Sequence, residues 1–211
     1  MIKRLLILGI LIPFAYAIAP AQQTGDDSAL FALVRRNYNG ESSFAAAFSV
    51  DQYWVVREKH IKESGVADVA TGNRFRVKMG GDEWVSDGKS LWSYSKPSNQ
   101  VVIRQLDNVE GDMIPSSVFS RYLTAGRFRV ISRHDGVAQL EIKGDSASPY
   151  ASAAIWVRED NGIINRGQMT DHNGNTFTYK VTNYQTDIPV TTADFAFDKA
   201  KFPGVEVIDM R

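Results

Sequence analysis

Residues 74–95, Arg-Phe-Arg-Val-Lys-Met-Gly-Gly-Asp-Glu-Trp-Val-Ser-Asp-Gly-Lys-Ser-Leu-Trp-Ser-Tyr-Ser, decide the fold. Short runs of strand-forming residues lie at 75–79, 84–86 and 91–94. Gly80-Gly81-Asp82 separates the first two runs and Asp87-Gly88-Lys89 the next, and both are turn sequences that suit hairpins. Phe75, Trp84, Trp92 and Tyr94 are thereby set on tightly turned antiparallel strands, with no cluster of catalytic side chains among them. Strands so rich in aromatics build a broad apolar face, which serves either as a closed core or as a binding surface for greasy ligands.

The same period recurs along the chain. Phe44, Ala46, Phe48 and Val50 point one way, and Trp54 and Val56 continue that face. Further strands are expected at 65–70, 100–105, 127–133, 138–144, 151–158, 163–170 and 176–184, with Asp160-Asn161-Gly162 and Asn173-Gly174 as hairpin turns. One helix precedes them, capped by Asp26 and Asp27 and running to Asn39, where Gly40 stops it. Its apolar stripe is Leu30, Phe31, Leu33, Val34 and Tyr38. About ten strands joined by short loops predict a mainly β (α+β) fold, one strongly curved antiparallel sheet.

Residues 107–126 break the strand pattern with Val109, Met113, Ile114, Val118, Phe119, Tyr122 and Leu123. Pro115-Ser116-Ser117 resembles a helix start, after which Phe119, Tyr122 and Leu123 fall at helical spacing. A short helix inserted between strands of one sheet lies across an open face or an end, as a core plug or as a movable lid.

At the N-terminus, Met1-Ile2-Lys3-Arg4 is a basic region and 5–17 an apolar run too short for a comfortable membrane span. A signal peptide over 1–21 is expected, cleaved after Ala17, Ala19 or Ala21, leaving residues 22–211 as a single exported domain. The chain has no Cys, which excludes disulfides and a lipid-modified cysteine. Lys plus Arg and Asp plus Glu balance at 24 each, with no long run of one sign, so no nucleic-acid partner is expected.

Enzyme signatures are missing. His60, His134 and His172 are scattered without metal-ligand spacing, and there is neither a Gly-x-Ser-x-Gly elbow nor a phosphate-binding glycine loop. Asp87, beside Ser86, precedes a glycine and reads as turn chemistry rather than half of a triad. The expectation is a protein that is not an enzyme and needs no cofactor.

The block 85–94, Val-Ser-Asp-Gly-Lys-Ser-Leu-Trp-Ser-Tyr, followed by Gln100-Val101, resembles the outer-membrane lipoprotein carrier protein (LolA) family. So do 43–52 as a first strand, Asn73-Arg74-Phe75-Arg76 as the start of a Phe-containing strand, and 192–197 with 202–209 as a closing segment. The resemblance implies an incomplete β-barrel with a helical lid over a hydrophobic cavity. It also implies a periplasmic chaperone that acts as a monomer. Such a carrier takes the acyl chains of lipoproteins from an inner-membrane lipoprotein-releasing transporter to an outer-membrane acceptor.

Each buried methylene is worth about 0.8 kcal/mol, so a long acyl chain in water costs on the order of 10 kcal/mol. A carrier has to match that apolar surface and need not offer specific polar anchors. Phe75, Val77 and Met79 share one strand face by period two and are expected to line the cavity, with Trp92 or Tyr94 and Trp54 close by. Phe119, Tyr122 and Leu123 are the lid candidates. Better-studied members carry a basic residue, which holds the lid closed, where this chain has Thr71. Either Arg74 or Arg76 latches the lid instead, or the protein is an open, divergent carrier. The alternative function is a periplasmic lipid-binding or envelope-sensing module on the same scaffold.

Overall fold

The computed structural model describes residues 25–38, 43–108, 128–143 and 150–211. The signal peptide expected over 1–21 and the lid candidates Phe119, Tyr122 and Leu123 lie outside the described residues. Helix α1 (Gly25–Tyr38) is followed by β1 (Phe44–Trp54), β2 (Lys59–Ala70), β3 (Arg74–Met79), β4 (Asp82–Asp87), β5 (Ser90–Ser95) and β6 (Gln100–Gln105). Then come β7 (Phe128–His134), β8 (Val137–Lys143), β9 (Tyr150–Arg158), β10 (Ile164–Asp171), β11 (Thr176–Thr186) and β12 (Glu206–Asp209). They form one 12-stranded sheet in the order β12-β6-β5-β4-β3-β2-β1-β11-β10-β9-β8-β7, which is not closed into a barrel.

Two elements depart from the reading of the sequence. β12 pairs with β6 in parallel, Glu206 opposite Gln100 through Asp209 opposite Ile103, because the chain reaches it through a long connection and not a hairpin. Val56 does not extend the face of β1. The strand ends at Trp54, the chain turns through Val55–Arg57, and Glu58 sits in the left-handed region at φ 46°, which leaves Val56 89% exposed.

The described residues belong to two compact units. The first takes the described residues of 25–38, 49–62, 128–143 and 150–182; the second takes those of 43–48, 63–108 and 183–211. In the first, α1 buries Leu30, Phe31, Val34 and Tyr38. The helix is tied to the β9–β10 turn: Asn37 Nδ2 donates to the Asn161 carbonyl at 2.7 Å, and Tyr38 Oη accepts from Ile164 N–H at 3.1 Å. A Cβ at Gly162 would come within 2.7 Å of Leu33, so this turn needs glycine both for room and for its φ of 73°. Asp27 lies inside the first helical turn and pairs with Arg133 at 2.6 Å. In the second unit β2–β6 form consecutive antiparallel pairs joined by tight turns.

Candidate functional site

Residues directly opposite in an antiparallel ladder project from the same face. Phe75 faces Ser86 and Val77 faces Trp84 across β3 and β4; Ser86 in turn faces Leu91 on β5, and Val69 on β2 faces Phe75. One face of the second unit therefore gathers Val69, Phe75, Val77, Met79, Trp84 and Leu91. All are buried, Phe75 to 1% exposure. Asp82 also lies on this face, opposite Met79, and accepts the Lys96 N–H at 2.8 Å; Glu63 on β2 and Arg104, opposite Leu91 on β6, project from the same side.

Trp92 and Tyr94 are not part of it. Trp92 stands opposite Val85, which stands opposite Arg76, so Trp92 and Tyr94 project with Arg74 and Arg76 from the other side of the sheet. This corrects the expectation of one shared aromatic face. Both hairpin loops contain two residues, Gly80-Gly81 and Gly88-Lys89, and an even count fixes which residues align. Trp84 and Leu91 are the partners that reading by aromatic content misses. Counting parity through the two loops finds them.

The side with Trp92 and Tyr94 is closed by the C-terminal segment. Tyr94, Val101 and Val205 form a buried cluster with Trp92, Phe197 and Phe202 packed on it, and the Tyr94 and Phe202 rings are 4.2 Å apart. Phe195 is fully buried and lies under the Arg74 guanidinium, 5.5 Å from ring centroid to carbon. Arg76 pairs with Glu83 and donates to the carbonyls of Asp194 at 2.7 Å and Ala196 at 2.8 Å. Arg74 also donates to the Thr71 carbonyl at 3.0 Å. These arginines hold the closing segment on the side away from Phe75.

Trp54 belongs to the first unit. Its ring meets Phe177 edge-on at 5.8 Å and packs with Tyr179 and Ala153 against buried Met169 and Phe177.

The remaining polar candidates serve local structure. Ser86 Oγ donates to the Asn73 carbonyl at 2.9 Å and accepts from Gly88 N–H, while Asp87 accepts from Lys89 N–H and Ser90 N–H at 2.8 and 2.7 Å. The bond with His60 at 2.9 Å holds the Asp51 carboxyl below the usual carboxylate range. His134 sits 2.9 Å from Asp135, both well exposed, and His172 is exposed on the β10–β11 turn. Among the described residues no group of three His, Cys, Asp or Glu is placed to hold a metal ion.

The model of the outer membrane lipoprotein carrier protein LolA family matches residues 40–198, from before β1 to the closing segment over Trp92. The chain belongs to the LolA family. Two solved structures share the fold. An uncharacterized conserved protein from Thermus thermophilus is 15% identical, with 86% of this chain and 98% of that one covered and a TM-score of 0.57. MucB is 13% identical, with 84% of this chain and 64% of MucB covered and a TM-score of 0.50. A LolA superfamily protein from Nitrosomonas europaea is 12% identical over 86% of this chain and 99% of that one, at a TM-score of 0.44. No curated protein matches the chain in sequence. No helix among the described residues is long and apolar enough to cross a membrane.

Proposed function

We propose that this LolA-family chain is a periplasmic, non-enzymatic carrier of acylated proteins. It accepts lipoprotein acyl chains from a transporter in the inner membrane and delivers them to an acceptor at the outer membrane. The observation that carries the reading is the face of Val69, Phe75, Val77, Met79, Trp84 and Leu91, an apolar surface whose interspersed Ser86 and Asp82 are already hydrogen-bonded. Such a face gives an acyl chain burial at about 0.8 kcal/mol per methylene without a covalent step. Because it is buried, a chain reaches it by displacing what covers it, and the cost of uncovering lowers the net affinity. A carrier benefits from that cost, since delivery needs the acceptor to bind more tightly than the carrier does.

The test is release of a newly made lipoprotein from inner-membrane vesicles that contain the releasing transporter. The mature protein is expected to bring acylated lipoprotein into the soluble fraction in a complex with itself, and Val77→Asn is expected to reduce that release. Release that does not depend on the protein would refute the carrier reading. Binding of free lipid without lipoprotein release would favour a lipid-binding or sensing module.

A further inference from the structure

The first unit contains buried polar atoms that an apolar cluster alone does not explain. Gln52 is 3% exposed and its Nε2 has no hydrogen-bond partner; the same holds for Trp54 Nε1 and the Tyr179 hydroxyl, both sealed from solvent. Gln52 and Trp54 lie two apart on β1 and so share a face, as do Phe177 and Tyr179 on neighbouring β11. The Trp54–Phe177 ring contact puts the two pairs on the same side of the sheet. Buried N–H and O–H groups are nearly always bonded, because an unpaired one has lost its water and gained nothing in return. Here such groups recur on one patch.

That patch also has room. Gly167 on β10 stands directly opposite Tyr179, so it shares that face, and a Cβ built on it would meet nothing within 4 Å. Its φ is not in the left-handed region, so backbone geometry does not demand glycine there. Next along the same face, Met169 stands opposite the small Ala153. One face thus carries sealed donors without partners, an unfilled position at Gly167 and an apolar floor of Met169 and Phe177.

We propose that this face binds the ester or amide carbonyl of an acylated ligand, with Gln52, Trp54 and Tyr179 as donors and Met169 and Phe177 under the adjoining chain. The proposal rests on the carrier reading and adds a polar anchor where an apolar surface alone was expected. The donors are neutral. Burial pushes the Tyr179 phenol well above its ordinary value, so it keeps its proton and donates. Arg166 stands opposite Trp156 and Lys180, which places its guanidinium on the other side of the sheet. Neutral donors without a cation suit a carbonyl oxygen better than a carboxylate, whose buried charge would lack a partner.

The experiment compares binding of a pyrene-labelled fatty acid methyl ester, the free acid and a pyrene-labelled alkane of equal length. It uses wild type, Tyr179→Phe and Gly167→Val. Wild type is expected to bind the ester several-fold tighter than the other two. Tyr179→Phe removes a buried donor and is expected to weaken the ester roughly fivefold to tenfold while leaving the alkane unchanged and the melting temperature equal or higher. Gly167→Val fills the space with a good strand former and is expected to weaken ester binding without loss of stability. Equal binding of ester and alkane by wild type, or a Tyr179→Phe protein that melts lower without losing ester selectivity, overturns the anchor and leaves the carrier reading standing. Should wild type bind none of the probes, both the carrier reading and the anchor fall.

Discussion

Arg76 carries much of the attachment of the C-terminal segment. It bonds the Asp194 and Ala196 carbonyls and pairs with Glu83, and the two side chains retain only 16% and 10% exposure. Removing one member of such a pair leaves a charge without a partner in a poorly solvated place. Arg76→Ala is therefore expected to lower stability by about 3 kcal/mol in denaturant unfolding, and adding Glu83→Leu to recover part of it. A loss of less than about 1 kcal/mol, the range of exposed pairs, would contradict this assignment. Two carboxylates add an acid dependence. Bonds from the Thr191 backbone and then its hydroxyl hold Asp194 below the usual carboxylate range, and Arg211 holds Asp209 at about 2. A carboxyl depressed on folding stabilises fully above its ordinary value of 3.8 and loses that contribution as pH falls through the folded value. Amide protection in residues 191–209, corrected for the intrinsic exchange rate, is expected to fall between about pH 4 and pH 2; protection that stays flat over that range would argue against it. The role of Asp87 is legible in the sequence, because Asp-Gly is a local turn signal. The role of Arg76 is not, because the carbonyls that it bonds lie 118 and 120 residues away.

At the scale of elements, the strands are visible in the sequence but their faces are not. The strand expected at 100–105 has the bounds of β6, and the other strands agree within a few residues at most ends, because alternation is a local property. Assigning Trp92 to the face of Phe75 fails because it needs a parity count through two hairpins. The parallel β12 is not legible because nothing near residues 206–209 indicates a partner a hundred residues away. The two faces make separable predictions. Trp92→Ala is expected to expose the closing segment to trypsin at Lys199 or Lys201 while changing acyl-probe affinity less than about twofold. Val77→Ala is expected to do the reverse. Equal effects of both substitutions on probe affinity would mean that the faces are not independent. Gly65 supports the apolar face from β2: a Cβ there would lie 2.6 Å from both the Lys78 carbonyl and the Phe48 ring. Gly65→Val is thus expected to destabilise by about 1–3 kcal/mol, the cost of overpacking, measured by thermal unfolding.

For the whole molecule, the family is legible in the sequence, and the structure refines where its apolar surface lies. The match over residues 40–198 agrees with the motif at 85–94, and the open sheet agrees with the expected class. The polar patch around Gln52 and Tyr179 has no sequence signature. Gln and Tyr are ordinary strand residues, and only burial without a partner sets them apart. Carriage requires binding strong enough to keep acyl chains from water and weak enough to yield them, and a covered apolar face satisfies both. The decisive measurement is native mass spectrometry of the mature protein purified from its own envelope without detergent. The carrier account predicts a co-purifying acylated lipoprotein, released when the acyl-binding face is blocked. An empty protein that also fails to bind a fluorescent acyl probe would contradict it, and the face of Phe75 would then be only a core.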